Sequence, residues 1–416
     1  MSYPPVPPAR LRRGLFITLH RWFGLSAALF LFVAGLTGAI IAWHDELDAR
    51  LNPQLFRTET HAQTLSPLRL AAALETVDPR LRVRYLPLSI EPGHSLQVMV
   101  EPRLDPVTGQ PHDLGFNQLM LDPATSRILG KREWGKASLH PENLLPFLYT
   151  LHYSLHIPDA FGLPLGPLLM GSIAIVWVVD TLLALGLSFP SPRHWRRTFA
   201  LRRKAGGHRL SFDLHRAGGV WFFLLLLMLA ITSVAMSFRE QAVLPLRTTV
   251  SPLTPPVVKR VLAAEPRLGF DDILPLALAE ADRRGWTSPP GGIFVANELG
   301  VYGVGFFTPG KDHDAAGRGH PWLYFDSQDG TLLGAELPGQ GSIGQRFLQA
   351  AFPLHAGRII GLPGRILISL SGLAIAALSL TGLLIWARKR RTRTLQAQRR
   401  RPGKPPLEAL PASRGA

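Results

Sequence analysis

Residues 212–221 read FDLHRAGGVW and lead directly into the apolar run 222–234. They place His215 at the start of a stretch of membrane-spanning length. A similar arrangement occurs near the amino terminus, where LHRWFGL at residues 19–25 places His20 before another apolar run. An ionisable side chain in a membrane span usually faces the interior of the helix bundle and has a partner there. Two such histidines, each on its own helix, are able to ligate one metal centre between the helices.

The composition indicates a protein that is only partly embedded in a membrane. The chain has 416 residues, 46% of them hydrophobic, and a mean hydropathy of +0.14. This is too apolar for an ordinary soluble enzyme and too charged for a protein that lies wholly in lipid. Cysteine is absent. That excludes disulfides, iron-sulfur clusters, thiolate ligands and covalently attached haem, and leaves histidine as the obvious metal ligand.

Four apolar runs are each longer than the roughly 20 residues that a bilayer requires. The first run exceeds the apolar region of a signal peptide and no small-residue cleavage site follows it, so we expect it to stay in the protein. The expected spans are residues 15–42, 163–189, 215–238 and 359–386.

Polar segments separate the first two spans and the last two. In the first polar segment, residues 45–146, Ser66 is placed to cap a helix over 67–76. Stretches with strand-like patterns and a turn follow, which predicts a helix and then an antiparallel sheet. The expected strands are 82–90, 95–101 and 117–121, and the expected turn is 122–126.

The basic residues indicate how the chain is oriented. Of 45 Lys and Arg residues, 22 lie in the segment up to Arg21, in the linker that ends with Arg216, and in the carboxy-terminal tail, together with only two acids, Asp213 and Glu408. Lys and Arg beside spans favour the cytoplasmic side, so we expect both termini and the linker to be cytoplasmic. The same clustering explains the net charge of +16 without nucleic acid. Beyond Arg391 the tail is basic and proline-rich, which predicts disorder.

An internal repeat relates the two halves of the chain. His20 corresponds to His215 at an offset of 195 residues, and His152 corresponds to His355 at an offset of 203. Each half therefore consists of a span, an exterior segment and a span. Because both halves enter from the cytoplasm, the repeat is parallel, with a pseudo-two-fold axis along the membrane normal. Further matches, at offsets of 204 or 205, are Leu65-Ser66 with Phe270-Asp271, Asp122 with Asp326, and Gly130 with Gly334.

The symmetry places His20 and His215 at the cytoplasmic end of the bundle, and His152 and His355 at the exterior end. Two neutral imidazoles saturate the axial positions of a haem iron, which favours electron transfer over oxygen binding. A lone histidine at a helix end is more often an interfacial side chain, but the symmetric pairing favours ligands. We therefore predict two haems stacked across the bilayer, with these four histidines as iron ligands.

Other side chains near the pairs are weaker candidates for haem contact. His156 lies one helical turn from His152 and is an alternative ligand or a neighbour of the haem propionates. His44 is turned by about 120° from His20 on an ideal helix, which favours an interfacial role. Three arginines could bind the haem propionates: Arg21, Arg216 and Arg358. The positive-inside rule explains the presence of Arg21 and Arg216 almost as well.

Asp180 and several glycines lie within the spans and are open to more than one interpretation. A carboxylate at position 180 can pair with arginine, relay protons, or cap groups near the cytoplasmic rim. The glycines either let a haem approach the helix backbone or let the helices pack closely. They are Gly35, Gly38, Gly361, Gly364, Gly372 and Gly382.

The combination of motifs is fairly specific. It consists of LHRWFGLSAALFLFVAGLTG with WHDELDARLNP, LHYSLHIP followed by WVVDTLLALGLSFP, FDLHRAGGVW, PLHAGRIIGLPGR with LTGLLIW, and the paired strings LDPATSRILG and FDSQDGTLLG. These motifs resemble those of the PepSY-associated transmembrane helix family of iron-regulated membrane proteins. The two paired strings resemble the end of PepSY domains, and the resemblance covers nearly everything except the two tails.

The resemblance implies a membrane α-helical fold with four transmembrane helices as two parallel repeats and two small α+β periplasmic PepSY-like domains. The family includes dihaem siderophore reductases, and its helix-mouth histidines map onto His20, His152, His215 and His355, so two haem b groups are expected. The implied division is a cytoplasmic tail (1–14), helix 1 (15–43), PepSY-like domain 1 (44–150), helix 2 (151–189), a basic linker (190–211), helix 3 (212–238), PepSY-like domain 2 (239–351), helix 4 (352–387) and a basic cytoplasmic tail (388–416).

The function that follows is electron transfer across the bacterial inner membrane to a ferric siderophore or ferric chelate in the periplasm. Some relatives carry a flavin and nicotinamide reductase module, but this sequence has no Gly-rich dinucleotide fingerprint. The electron donor is then quinol or a separate cytoplasmic reductase, and the other contacts are with membrane lipid. The alternative is a non-catalytic PepSY membrane protein that binds or regulates a periplasmic peptidase, because PepSY domains are similar to protease propeptide modules.

Overall fold

The computed structural model describes residues 8–59, 64–189, 195–202, 207–239, 265–309, 317 and 319–399. Several sequence predictions therefore lie outside the described residues. They concern the first part of the amino-terminal tail, parts of the basic linker, the start and one loop of the second exterior segment, and the last part of the carboxy-terminal tail.

The described residues form the following helices and strands, numbered in chain order. The α-helices are α1 (Pro8–Ile41), α2 (His44–Leu51), α3 (Pro53–Phe56), α4 (Pro67–Val77), α5 (Pro141–Ser154), α6 (Leu165–Ser188), α7 (Trp195–Thr198), α8 (Gly207–Trp221), α9 (Phe223–Ser237), α10 (Phe270–Arg283), α11 (Ile343–His355) and α12 (Leu362–Arg399). The strands are β1 (Leu81–Pro87), β2 (Leu96–Pro102), β3 (Gln118–Leu121), β4 (Ile128–Arg132), β5 (Pro290–Ala296), β6 (Val301–Phe306), β7 (Trp322–Asp326) and β8 (Leu332–Glu336).

Three helices of the described chain, α1, α6 and α12, are long and apolar enough to cross a membrane, and α8 with α9 makes a fourth if this bent pair is one span. The protein is therefore a membrane-type protein with three or four candidate spans. Where one helix was predicted over 212–238, the chain forms two, α8 and α9, which meet at an angle of 69°. Phe222 leaves helical geometry there (φ −94°, ψ 2°), shortly after Gly218 and Gly219, which weaken a helix locally.

His152 and His355 lie on short helices that are separate from the spans, in contrast to the single helices predicted over 151–189 and 352–387. α5 ends at Ser154 because Leu155 and His156 both adopt the left-handed conformation, each at φ 55°. α11 ends at His355, and a short 3₁₀ turn flanked by two glycines at positive φ precedes α12. Each of these histidines therefore lies at the end of a helix that packs beside the spans rather than within one.

The two polar segments share one antiparallel sheet, an arrangement that the sequence analysis does not predict; because it lies outside the helix bundle, we call it the exterior sheet. Its strand order is β4-β3-β2-β1-β5-β6-β7-β8. β1 pairs with β5 at the centre, where Tyr85 is opposite Phe294, so the two halves are joined strand to strand.

The three expected strands of the first half are present with shifted ends, whereas β4 was not predicted. Ser66 caps α4 as predicted, accepting a hydrogen bond from the Arg69 amide. The equivalent cap of α10 is Gly269, an offset of 203 rather than 205.

One face of the sheet carries a core that both halves share. Leu70 of α4 and Ile273 of α10 belong to the same buried cluster, so both helices cover the same face. A two-fold axis that relates the halves must then run perpendicular to the sheet. On the opposite face, Met120 of β3 packs against Leu55 and Phe56 of α3. Since α2 and α3 follow α1 directly, this second face lies toward the membrane helices.

The carboxy-terminal tail is helical further than expected. α12 continues to Arg399 although disorder was predicted beyond Arg391. Residues 392–399 contain neither Gly nor Pro and include the helix formers Arg, Leu, Gln and Ala, which accounts for the difference.

Candidate functional site

The structure brings His20 and His215 together at the end of the helix bundle that lies away from the sheet, which we call the inner end. His20 extends from α1 and His215 from α8, and the centres of their rings are 6.0 Å apart. The planes of the rings are inclined by 49°. We call these two residues the inner pair.

His152 and His355 meet in the same way at the end nearest the exterior sheet. Their ring centres are 6.1 Å apart, and the rings are inclined by 62°. His152 comes from α5 and His355 from α11. This outer pair therefore shares no helix with the inner pair, and its residues are not adjacent in sequence to those of the inner pair. Both pairs join one residue from each half of the repeat.

Hydrogen bonds determine which ring nitrogen of the inner pair carries a proton. His20 Nδ1 lies 2.8 Å from Asp180 Oδ1, and His215 Nδ1 lies 3.0 Å from the carbonyl oxygen of Leu378. An ionised carboxylate and a carbonyl accept hydrogen bonds but do not donate them. Both Nδ1 atoms must therefore be donors, and in the neutral imidazole Nε2 then carries the free lone pair.

The outer pair reaches the same tautomer through two threonines. Thr37 Oγ1 donates to the carbonyl oxygen of Val33 at 2.7 Å and accepts from His152 Nδ1 at 3.1 Å. Thr232 Oγ1 donates within its own helix and accepts from His355 Nδ1 at 3.0 Å. Each hydroxyl has used its single hydrogen, so it is an acceptor for the imidazole. The sequence analysis missed both threonines, although they share the offset of 195 that relates His20 to His215.

The ring separations match two imidazoles that share one metal. A metal–nitrogen bond is about 2 Å and a ring centre lies roughly 1 Å from its nitrogen, so two such imidazoles have centres about 6 Å apart. Within the described ranges, no group of three or more His, Cys, Asp or Glu side chains is placed to hold a metal ion. A donor set of two neutral imidazoles therefore fits a metal that brings its other ligands with it, as haem iron does.

Two of the predicted glycines make room for the histidine rings. A Cβ at Gly38 would lie 2.9 Å from Cε1 of His152, and a Cβ at Gly382 would lie 3.2 Å from Cε1 of His215. Gly35 serves helix packing instead, because a Cβ there would lie 2.6 Å from the carbonyl oxygen of Gly372. Close helix packing, one of the two predicted roles, is therefore found at Gly35, whereas Gly38 and Gly382 leave space for histidine rings, a role that the sequence analysis does not predict.

The two weaker histidine candidates lie outside the pairs. His156 Nε2 lies 3.0 Å from the carbonyl oxygen of Phe147, and its ring stacks on that of Phe147. His44 Nδ1 lies 3.0 Å from Asp45 Oδ1, and its ring packs edge-on against Tyr149. Burial raises the pKa of the Tyr149 phenol, which keeps it neutral.

The three arginine candidates are in different situations. Arg358 forms an ion pair of 3.3 Å with Asp45 at the exterior mouth of the bundle. Arg216 contacts Asp213 at 3.1 Å, and Arg21 lies over the ring of Trp22. Nε of Arg21 and Nε of Arg216 are buried and make no hydrogen bond among the described residues. These two buried donors are available to an acidic group at the inner end.

Asp180 pairs with the neighbouring side chain of His20 rather than with an arginine. Its side chain is 16% exposed, and it comes from α6, so a third helix contributes to the inner pair. The role depends on how α6 is rotated about its axis, which the sequence does not reveal.

The comparison with protein families agrees with the sequence motifs. The model of one family, described as the PepSY-associated TM region, matches residues 17–389. This range contains both histidine pairs and the whole of the exterior sheet. No curated protein matches the chain.

Proposed function

The chain belongs to the family of the PepSY-associated TM region, and on that premise we propose that it is a dihaem electron-transfer protein of the bacterial inner membrane. It takes electrons from quinol or a cytoplasmic reductase and reduces a ferric siderophore or ferric chelate in the periplasm. The observation that carries this proposal is the pair of two-histidine sites, each with ring centres about 6 Å apart and with Nδ1 engaged so that Nε2 is left to bind iron.

The spacing of the two sites supports transfer across a membrane. His20 of the inner pair and Thr37, the partner of the outer pair, lie 17 residues apart on α1. At 1.5 Å per residue this places the sites about 25 Å apart along the helix, close to the thickness of the hydrocarbon core. The basic residues at the inner end favour the cytoplasmic side for that site. The exterior sheet, interpreted as two joined PepSY domains, then lies in the periplasm above the outer site.

Named side chains of the chain would bind the two haems and their acidic groups. His20 and His215 would bind one haem, His152 and His355 the other, and Arg21 and Arg216 would receive acidic groups at the inner end. A bound haem supplies a one-electron carrier. With two histidines as ligands, a bound haem iron would have no open coordination position for oxygen. Reduction of the ferric substrate weakens the hold of its hard oxygen ligands and releases the iron.

We expect the purified full-length protein to contain two low-spin haems that dithionite reduces and a ferric siderophore reoxidises. The measurements are haem per chain, the optical spectrum, and ferrous iron captured by a chelator. Protein without haem would favour the alternative, a membrane protein that binds or regulates a peptidase. Protein whose haems stay reduced with every ferric chelate, yet pass electrons to quinone, would support a more general electron-transfer role.

A side chain at position 38 is expected to remove the outer haem. Gly38→Leu would push the His152 ring out of place, because even a Cβ would lie 2.9 Å from Cε1. Haem content should fall to about half, since the inner pair is untouched. Gly14→Leu is the matched control in the same helix, because nothing lies within 4 Å of a Cβ at Gly14. Equal haem content in the two variants would contradict the assignment of His152.

A further inference from the structure

The two histidine pairs differ in the charge of their hydrogen-bond partners. Three of the four imidazoles donate to neutral oxygens, which belong to Thr37, Thr232 and the Leu378 carbonyl. The fourth, His20, donates to the carboxylate of Asp180 at 2.8 Å. The negative charge is therefore confined to one ligand of the inner pair.

Among the described residues, no arginine or lysine forms an ion pair with this carboxylate within 4 Å. Its ion pair there is with His20, and its side chain is 16% exposed. By contrast, Asp213, which is also at the inner end, is paired with Arg202 and Arg216. The charge of Asp180 consequently acts on the imidazole of His20 with reduced screening by solvent, because partly buried charge pairs are screened less than exposed ones.

We propose that Asp180 lowers the reduction potential of the inner centre below that of the outer centre, and so directs electrons outward. This inference rests on the proposed function. A carboxylate that accepts a hydrogen bond from a metal-bound imidazole makes the imidazole a stronger donor. A stronger donor stabilises ferric over ferrous iron, and hydrogen bonds around the ligands are among the means by which proteins set haem potentials. The two threonines of the outer pair provide no such charge.

The step transfers one electron and no proton. With haem held by both pairs, one electron would pass from the inner centre, which would be oxidised, to the outer centre, which would be reduced, while His20 would keep its Nδ1–H hydrogen-bonded to Asp180. The electron donor named in the proposed function would reduce the inner centre again, and the ferric substrate would accept the electron from the outer centre. Asp180 is a positioning residue here, since it acts through His20.

The test is a redox titration of the full-length protein, followed by its optical spectrum, in wild type and in Asp180→Asn. The amide oxygen of asparagine can still accept from His20, so the variant removes the charge and keeps the shape. We expect the wild-type inner potential to lie below the outer one. Asp180→Asn should raise the inner potential enough to shift the electron distribution between the centres at least tenfold, which is about 59 mV for one electron. Repeating the titration with His355→Ala added isolates the inner centre.

Two further variants separate a charge effect from damage to the site. Asp159→Asn removes the same charge from an exposed exterior position and should leave both potentials unchanged. Asp180→Glu keeps the charge and should keep the inner potential below the outer one, even if Asp180→Asn loses the inner haem. The proposal is wrong if both haems are present and Asp180→Asn leaves the inner potential unchanged, or if Asp180→Glu raises it. Wild-type protein without haem would overturn the proposed function itself, and this inference with it.

Discussion

Replacing His355 with alanine is expected to remove one haem and to stop the reduction of ferric chelate. The outer haem would lose one of its two axial ligands, and the absence of cysteine means that no covalent link holds it. Haem content should therefore fall to about half of the wild-type value. The inner centre should still accept electrons, but electron transfer weakens steeply with distance, and the last relay would be missing. Haem per chain and ferrous iron in a chelator trap measure the two effects.

His156→Ala is the matched control for this experiment. It changes a histidine four residues after His152, but the ring of His156 stacks on Phe147 and forms a hydrogen bond with the carbonyl oxygen of Phe147. This variant should retain both haems. The His355→Ala protein must also keep the spectrum of its inner haem, because loss of that spectrum would indicate that the bundle has unfolded. Two haems in His355→Ala, or one in His156→Ala, would show that the outer ligands are wrongly assigned.

The histidine pairs could be predicted because the repeat presents each functional position twice. His20 with His215, and His152 with His355, are recognisable as pairs from their offsets alone, and the structure brings each of them together. Thr37 and Thr232 are related by the same offset, but threonines are common in helices and usually bond to their own backbone. Their contact with the outer pair becomes evident only when α1 and α5, and α9 and α11, are seen side by side.

The shared exterior sheet could not be predicted from the alternation of apolar and polar residues. Alternation indicates which face of a strand is buried, but not which strand pairs with its free edge. In two separate domains, β1 and β5 would each present unpaired backbone groups, which proteins usually cover. Joining them satisfies both edges at once. That pairing connects residues about half a chain apart, beyond the reach of any local pattern.

A buried ion pair joins the exterior sheet to the helices beneath it. Asp48 of α2 lies 2.8 Å from Arg132 of β4, and their side chains are 1% and 2% exposed. Asn52 donates to Asp48, and Arg132 donates to Gln118 of β3 and to the carbonyl oxygen of Glu142 in α5. Because α2 follows the first span and α5 carries His152, this network connects the sheet to the outer pair.

Asp48→Ala is expected to destabilise the exterior layer by about 3–5 kcal/mol, because it leaves the guanidinium of Arg132 buried without its counter-charge. The amides of the strands nearest the change, β3 and β4, should lose the most protection against hydrogen exchange. Hydrogen exchange of the purified protein measures this strand by strand. Since α5 is attached to the same network, the outer haem should also be released at a lower temperature than in wild type, whereas release of the inner haem should change less.

Two comparisons test whether the buried charge is the cause. Asp78→Ala breaks an ion pair with Arg80 in the same layer, but that arginine side chain is 54% exposed, so little protection should be lost. The double change Asp48→Leu and Arg132→Met removes both charges and should recover much of the stability that Asp48→Ala loses, since apolar residues can replace a buried pair. If the double variant is as unstable as Asp48→Ala, the loss comes from packing or from Asn52 and Gln118, and the ion pair does not hold the layer.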